Sequence, residues 1–403
     1  MSLIPDHWKR PEVCIVLLAA VYPLSFSVWM SLLNNFTIEQ ANFTGIEIGI
    51  LQSIREIPGL LAFTVLAFVV FFKEQNFIIF SLVLLGFGVF FTGQYPTEYG
   101  LYLTTIIMSF GFHYAEALQM SLTLQWVPKD KAPENMGKQV SAKSISSLVA
   151  FSLVWLSLEV FNLDYKFIYM VGGSLTIILA LVIWALFPAF PGKHPQQKKM
   201  VLRKRYWLFY ALTFMGGARR QIFVVFAGFL LVERFGFSAA WITALYLTNH
   251  VISFWTAPFI GRLVSEWGER RALVVEYIGL MIVFTGYALA PEAWMVGILY
   301  VMDHLFFALA IAQKSYLQKI ADPREIASTS SVSFSINHIA AVFLPVLLGL
   351  IWISSPEAVF ITGTCMAFIS LILSLYVPNN PEPGNEARPN PFKRQKMPLT
   401  DTR

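Results

Sequence analysis

The chain alternates between long apolar runs and short polar ones. Twelve runs approach or exceed the roughly 20 residues that a helix needs to span hydrocarbon: 13–33, 46–71, 77–93, 100–124, 141–161, 167–188, 207–232, 238–261, 271–290, 294–316, 327–353 and 357–377. Each is continuously apolar, without the period-two alternation of a barrel strand, so the pattern predicts helices. The expected fold class is an all-α polytopic membrane protein with twelve transmembrane helices. Trp8-Lys9-Arg10-Pro11 precedes the first run, which exceeds a signal-peptide core and closes on Asn34-Asn35 without a small-residue cleavage site. It is expected to remain as the first membrane helix.

Composition agrees. Of 403 residues, 56% are hydrophobic and 13% charged, against about 25% charged in a soluble domain. The mean hydropathy is +0.62. Cys14 and Cys365 lie inside apolar runs and read as packing residues.

The loops fix an orientation. Lys9, Arg10, Lys73, Lys129, Lys131, Lys138, Lys143, Arg262, Arg270, Arg271, Lys314, Lys319 and Arg324 fall on one side, with the basic linker and tail; Lys166 and Arg234 lie opposite. Positive charge stays inside, so both termini are expected in the cytoplasm, the membrane being a bacterial inner (plasma) membrane. Residues 190–206 read as a solvated basic linker between six-helix halves, 1–189 and 207–377, and 378–403 as a disordered cytoplasmic tail. Asn35 and Asn42 match the glycosylation sequon close to the membrane, a match that chance often produces.

The halves repeat. Pro133-Glu134-Asn135, leading into the serine-rich start of helix 5, matches Pro323-Arg324-Glu325 before helix 11, and Arg55-Glu56 falls opposite Asn249-His250. Two parallel six-helix halves related by a pseudo-two-fold axis are a plan used by secondary transporters. After helix 8 stands Gly261-Arg262-Leu263-Val264-Ser265-Glu266-Trp267-Gly268-Glu269-Arg270-Arg271. Its glycines, leucine and closing arginines match the loop G-x-L-x-D-R-x-G-x-R-R, and the sequence resembles the major facilitator superfamily. Ser265 and Glu266 depart from the pattern, the copy after helix 2 is nearly absent, and the Gly-Pro pattern of drug antiporters is missing from helix 5. The resemblance implies that helices 3, 6, 9 and 12 face lipid while eight others line a cavity. It also makes Gly261, Arg262, Gly268, Arg270 and Arg271 a cytoplasmic gate loop.

Ionisable residues follow that split, as they must when a charge facing lipid costs several kcal/mol. Helix 2 carries Arg55 and Glu56, helix 4 His113 and Glu116, helix 7 Arg219 and Arg220, helix 8 Asn249 and His250, helix 10 Asp303 and His304, and helix 11 Asn337 and His338. Helix 9 holds only Glu276, near its cytoplasmic end. Candidate substrate contacts are Arg219, Arg220, Arg55, Asn249, Asn337, Tyr22, Gln221 and Tyr246, an arginine being suited to clamp an anion. Glu56, His113, Glu116, His250, Asp303, His304 and His338 are candidates for proton coupling or salt bridges. His113 and Glu116 stand three apart and are expected to touch. Of the doubled arginine, one is expected to be pinned by a carboxylate such as Asp303 and the other left for substrate. The histidines and acids sit on different helices without metal-ligand spacing, so no metal and no cofactor is expected.

These features point to a secondary-active carrier of a small polar, anionic or zwitterionic solute, coupled to protons, acting as a monomer in the bilayer without nucleic acid. Alternatives are an exporter of amphipathic toxic compounds and a non-transporting receptor on a carrier fold. No Walker loop or activated nucleophile argues for an ATPase or an enzyme.

Overall fold

The computed structural model describes residues 8–68, 72–127, 132–190, 202–322 and 326–390. Its helices are α1 (Pro11–Ala41), α2 (Gly45–Leu60), α3 (Val65–Phe68), α4 (Glu74–Thr92), α5 (Glu98–Trp126), α6 (Ala132–Glu159) and α7 (Tyr165–Leu186), then α8 (Trp207–Gln221), α9 (Gly228–Glu233), α10 (Ala239–Trp267), α11 (Glu269–Leu289), α12 (Ala293–Ala308), α13 (Ile311–Ile320), α14 (Ile326–Ser354) and α15 (Pro356–Leu375). Among the described residues, nine spans are long and apolar enough to cross a membrane. We call the end that bears Pro11 and Trp207 the terminal end, and the opposite one the distal end.

Side-chain caps start several helices at the distal end, where backbone N–H groups would otherwise lack partners. Thr44 and Glu47 form a capping box on α2, and Thr97, Asp164, Ser238 and Ser355 cap α5, α7, α10 and α15. At the terminal end α10 stops at Gly268, whose φ of +77° and ψ of 160° suit only glycine, and α11 begins at once. Gly261 and Arg262 therefore belong to a helix, and the expected gate loop is this one-residue turn. Beside it Glu269 accepts from Lys319 Nζ at 2.6 Å and Ser315 Oγ at 2.7 Å. Arg270 Nη1 donates to Asn379 Oδ1 at 3.3 Å, while Arg262 and Arg271 are exposed.

Three predicted runs are interrupted. The run 46–71 breaks after Pro58 into a 3₁₀ turn, Ala62–Thr64. The run 294–316 bends between α12 and α13, where Leu309 and Ala310 donate to Phe306 and Phe307. The run 207–232 holds a π-helical turn, Ile222–Ala227, directly after Arg219-Arg220-Gln221. Conversely α1 continues past Asn34-Asn35, because their polar side chains are buried against the later helices. Asn35 Nδ2 donates to Phe237 O at 2.8 Å, so the Asn35 sequon is packed away.

The helices α1–α7 and α8–α15 meet at the distal end. There α2 and α14 pack backbone to backbone: a Cβ on Gly49 would stand 2.4 Å from Pro345 O, and one on Gly349 would stand 2.3 Å from Gly45 O. Trp352 lies over Gly45, stacks on Phe226 and donates from Nε1 to Glu233 Oε2 at 2.7 Å. Midway, Phe151 of α6 stacks on Tyr246 of α10 at 5.2 Å. One buried apolar cluster runs from Cys14 of α1 to Tyr300 of α12, with Tyr246 packed against it. A separate one, including Tyr206, Leu273, Tyr316 and Val377, holds the terminal end of the later helices.

The tail expected to be disordered from 378 is placed as far as Asn390. Arg388 N donates to Tyr376 O at 2.8 Å, Tyr316 Oη donates to Glu386 O, and Glu382 bridges to Asn385. These bonds, with Ala387 packed against it, seat the segment on the second apolar cluster. Residues 391–403 and 191–201 of the linker lie outside the described residues.

Candidate functional site

The doubled arginine divides between two environments. Arg219 is 1% exposed; its Nη2 stands 3.5 Å from Glu276 Oε1, and its guanidinium lies 4.3 Å over the Tyr277 ring. The carboxylate beside Arg219 is thus Glu276 of α11, where Asp303 was expected. Asp303 is fully buried, and neither of its oxygens has a hydrogen-bond partner. Helix 9 of the sequence reading therefore turns a charged residue inward. Arg220, about 100° further round the helix, is exposed, and its Nη2 donates to Asn337 Oδ1 of α14 at 3.2 Å. Gly217 permits that approach, since a Cβ there would meet Asn337 Nδ2 at 2.8 Å.

A second cluster forms where α2, α5 and α14 converge. Arg55 donates from Nε to Gln52 Oε1 at 2.7 Å and from Nη2 to Glu56 Oε1, while Ser109 Oγ holds the Arg55 carbonyl. Glu56 Oε2 has no hydrogen-bond partner; His338 Nε2 stands 3.5 Å from it. His338 Nδ1 donates to Phe334 O at 2.8 Å. That bond fixes the tautomer, so the Nε2 of a neutral ring turns its lone pair toward the carboxylate. His113 packs edge-on to His338, ring centres 5.3 Å apart, and both its nitrogens are buried without a hydrogen-bond partner. Gly59 makes the space: a Cβ there would fall 2.2 Å from His338 and 2.9 Å from His113.

The expected His113–Glu116 contact does not form. Glu116 instead lies in the field of Lys143, whose Nζ sits 4.8 Å over the Tyr22 ring. Helical spacing makes the first contact available, but the charge that acts most on Glu116 comes from α6. Tyr22 is buried, edge-on to Phe112 at 5.4 Å. Tyr246 lies between Phe151 and Tyr300. His250 packs on Phe151 and His304 beside Phe223. Asn249 and Gln221 are buried with amide atoms unpartnered, so in this conformation neither faces open space. Glu276 and Lys143 were missed as site residues. Each lies near a helix end in sequence, and only the long side chains of Arg219 and Lys143 bring them to the interior.

The fold has many relatives. A mutant of the nucleoside transporter NupG superposes with a TM-score of 0.76 at 16% identity, covering 91% of this chain and 99% of that one. A bacterial homologue of the human lysosomal transporter Spinster, inward-facing and occupied, gives 0.72 at 12% over 90% and 95%. A POT family transporter in complex with a thioalcohol-conjugated peptide gives 0.70 at 12% over 90% and 94%. In sequence, an uncharacterized MFS-type transporter of Methanocaldococcus jannaschii is 26% identical over 136 residues, 33% of this chain and 34% of that relative's length. The family model of the Major Facilitator Superfamily matches residues 15–345. With that match over most of its length, on a helical bundle shared with transporters, the chain belongs to the major facilitator superfamily.

Proposed function

We propose that this chain is a secondary-active carrier that moves a small polar solute by alternating access, and that Arg220 holds an anionic or carboxylate-bearing part of that solute. Arg220 carries the reading. It is the exposed member of the doubled arginine, its carboxylate-paired neighbour is buried, and its one described hydrogen bond is to a neutral amide. A guanidinium so placed is costly in a membrane unless a wet cavity or an anion receives it. The facing aromatic rings of Phe151, Tyr246, Phe223 and Tyr300 offer an apolar wall to the remainder of the solute. The nucleoside and peptide transporters of the same fold are in keeping with solutes that combine polar and planar parts.

Twelve spans in two six-helix halves fit the element order if α2 with α3, α8 with α9, and α12 with α13 each form one interrupted span, and α5 and α10 cross despite their polar residues. The charged loops then place both termini in the cytoplasm of a bacterial inner membrane, with the distal end outside and closed. A proton is the coupling ion in this reading. Its seat is Asp303, a buried carboxyl surrounded by Tyr287, Tyr300 and Arg219 with no hydrogen-bond partner for either oxygen. In this reading Asp303 is the group that takes up and releases the proton as the closed site opens to water.

The test is a thermal-shift screen of purified protein against organic anions, amino acids, nucleosides and lipophilic cations. We expect stabilisation by a solute bearing an anionic group, lost in Arg220→Ala and partly kept in Arg220→Lys. Stabilisation by lipophilic cations alone overturns the reading. Uptake into proteoliposomes that ignores an imposed pH gradient removes the proton from it.

A further inference from the structure

We propose that Glu56, His113 and His338 form a site for a divalent transition-metal ion, bridging the two sets of helices. One ligand atom from each residue lies within 4.8 Å of the other two, and all three residues are buried. Ligands about 2.0–2.2 Å from a tetrahedral ion stand about 3.3–3.6 Å apart. Glu56 Oε2 and His338 Nε2 are already at 3.5 Å; His113 closes the rest by rotating about its side-chain bonds.

Two further observations point to a ligand. His113 and Glu56 Oε2 are buried polar groups without hydrogen-bond partners, a state that costs free energy unless something fills it. The outer partners of a metal site are also in place. Metal-bound histidines almost always donate their other ring N–H to a carbonyl or carboxylate, as His338 does to Phe334 O. Arg55 occupies Glu56 Oε1 and leaves Oε2 free. Gly59 leaves room for both rings. Two imidazoles and one carboxylate select zinc, cobalt, nickel or iron over calcium and magnesium, which prefer oxygen alone. They also leave a coordination position open. Arg55 and Arg220 oppose a cation, but Arg55 is neutralised by Glu56 and Arg220 is exposed and can turn away. Glu56 and His113 belong to α2 and α5 and His338 to α14, so a bound ion would lock the two sets of helices in the present arrangement.

The experiment uses tag-free, chelator-stripped full-length protein titrated with Co²⁺, whose visible absorption reports nitrogen and oxygen ligands at low coordination number. One saturable equivalent per chain is expected, displaced by Zn²⁺ and indifferent to Mg²⁺. His113→Asn and His338→Asn should each weaken it by more than the roughly 10–100-fold that losing an outer partner costs. His250→Asn with His304→Asn should leave it unchanged. Wild-type protein that takes up no Co²⁺, as expected if Glu56 and His338 merely share a proton, overturns the proposal, as does undiminished binding in both variants. If those variants do not fold, X-ray absorption of the Co²⁺-loaded wild type decides: two imidazoles support the site, and any other number refutes it.

Discussion

Arg219 and Arg220 are adjacent in sequence, yet the packing gives them opposite consequences. Removing Arg219 leaves Glu276 buried without a partner, and breaking a buried pair from one side costs about 3–5 kcal/mol. Arg219→Ala is therefore expected to lower the unfolding temperature sharply, and adding Glu276→Ala should restore much of the loss. A double variant no more stable than the single one would show that the pair is not coupled. Arg220→Ala should shift stability by only about 0.5 kcal/mol, as for most exposed substitutions, while abolishing solute binding. That the two arginines would face different surroundings was legible in the sequence, because adjacent helical residues cannot both face one axis. The identity of the partner was not. Helical side chains lean toward the N-terminus of their helix, so Arg219 reaches toward the terminal end, where Glu276 lies about 10 Å into α11. The same limit hid the meeting of Glu56, His113 and His338: sequence spacing describes one helix at a time, and these three sit on three.

Elements were legible where hydropathy defines them and less so where the hydrogen-bond pattern changes inside an apolar run. Long runs such as α7, α14 and α15 have the expected extents to within a few residues. The π turn after Gln221, the bend at Leu309-Ala310 and the 3₁₀ turn after Pro58 leave hydropathy untouched; only Pro58 gave a local cue. A π turn alters the rotation per residue, so the face presented by Phe223 is displaced from its ideal α-helical position. Glycines set the other element-level constraints. A methyl on Gly49 would meet the Pro345 carbonyl, so Gly49→Ala should part α2 from α14 at the distal end. Spin labels on the two helices should then report a longer distance; an unchanged distance would mean that the backbone absorbs the methyl elsewhere. At Gly268 the backbone lies in a region nearly reserved for glycine, and Gly268→Ala is expected to cost about 1–3 kcal/mol in thermal unfolding while leaving solute binding unchanged.

Across the whole molecule, the described contacts between the two sets of helices lie from mid-height to the distal end. The alternation of loop charge bears on which ends of the helices lie together. It could not foretell which end is closed, because loop charge bears on the direction of the helices and not on how their ends pack. If distal closure is one phase of a cycle, tying Asn34 to Gly228 should stop the cycle; the Asn34 Nδ2 atom lies 2.7 Å from where a Gly228 Cβ would be. Asn34→Cys with Gly228→Cys, once oxidised, is expected to bind solute but to halt transport, with reduction restoring it. Transport that persists in the fully oxidised protein would place the moving contact elsewhere.

The contact of Gly45 and Gly49 with Pro345 and Gly349 is made largely of main chain. Glycine has no rotamers to freeze or release, so separating these surfaces changes side-chain disorder little and falls mainly on close atomic attraction. The barrier to opening should therefore be dominated by enthalpy. If the chain turns over as proposed, its rate should climb steeply with temperature, and wedging the glycine seam with Gly49→Ala should flatten that climb.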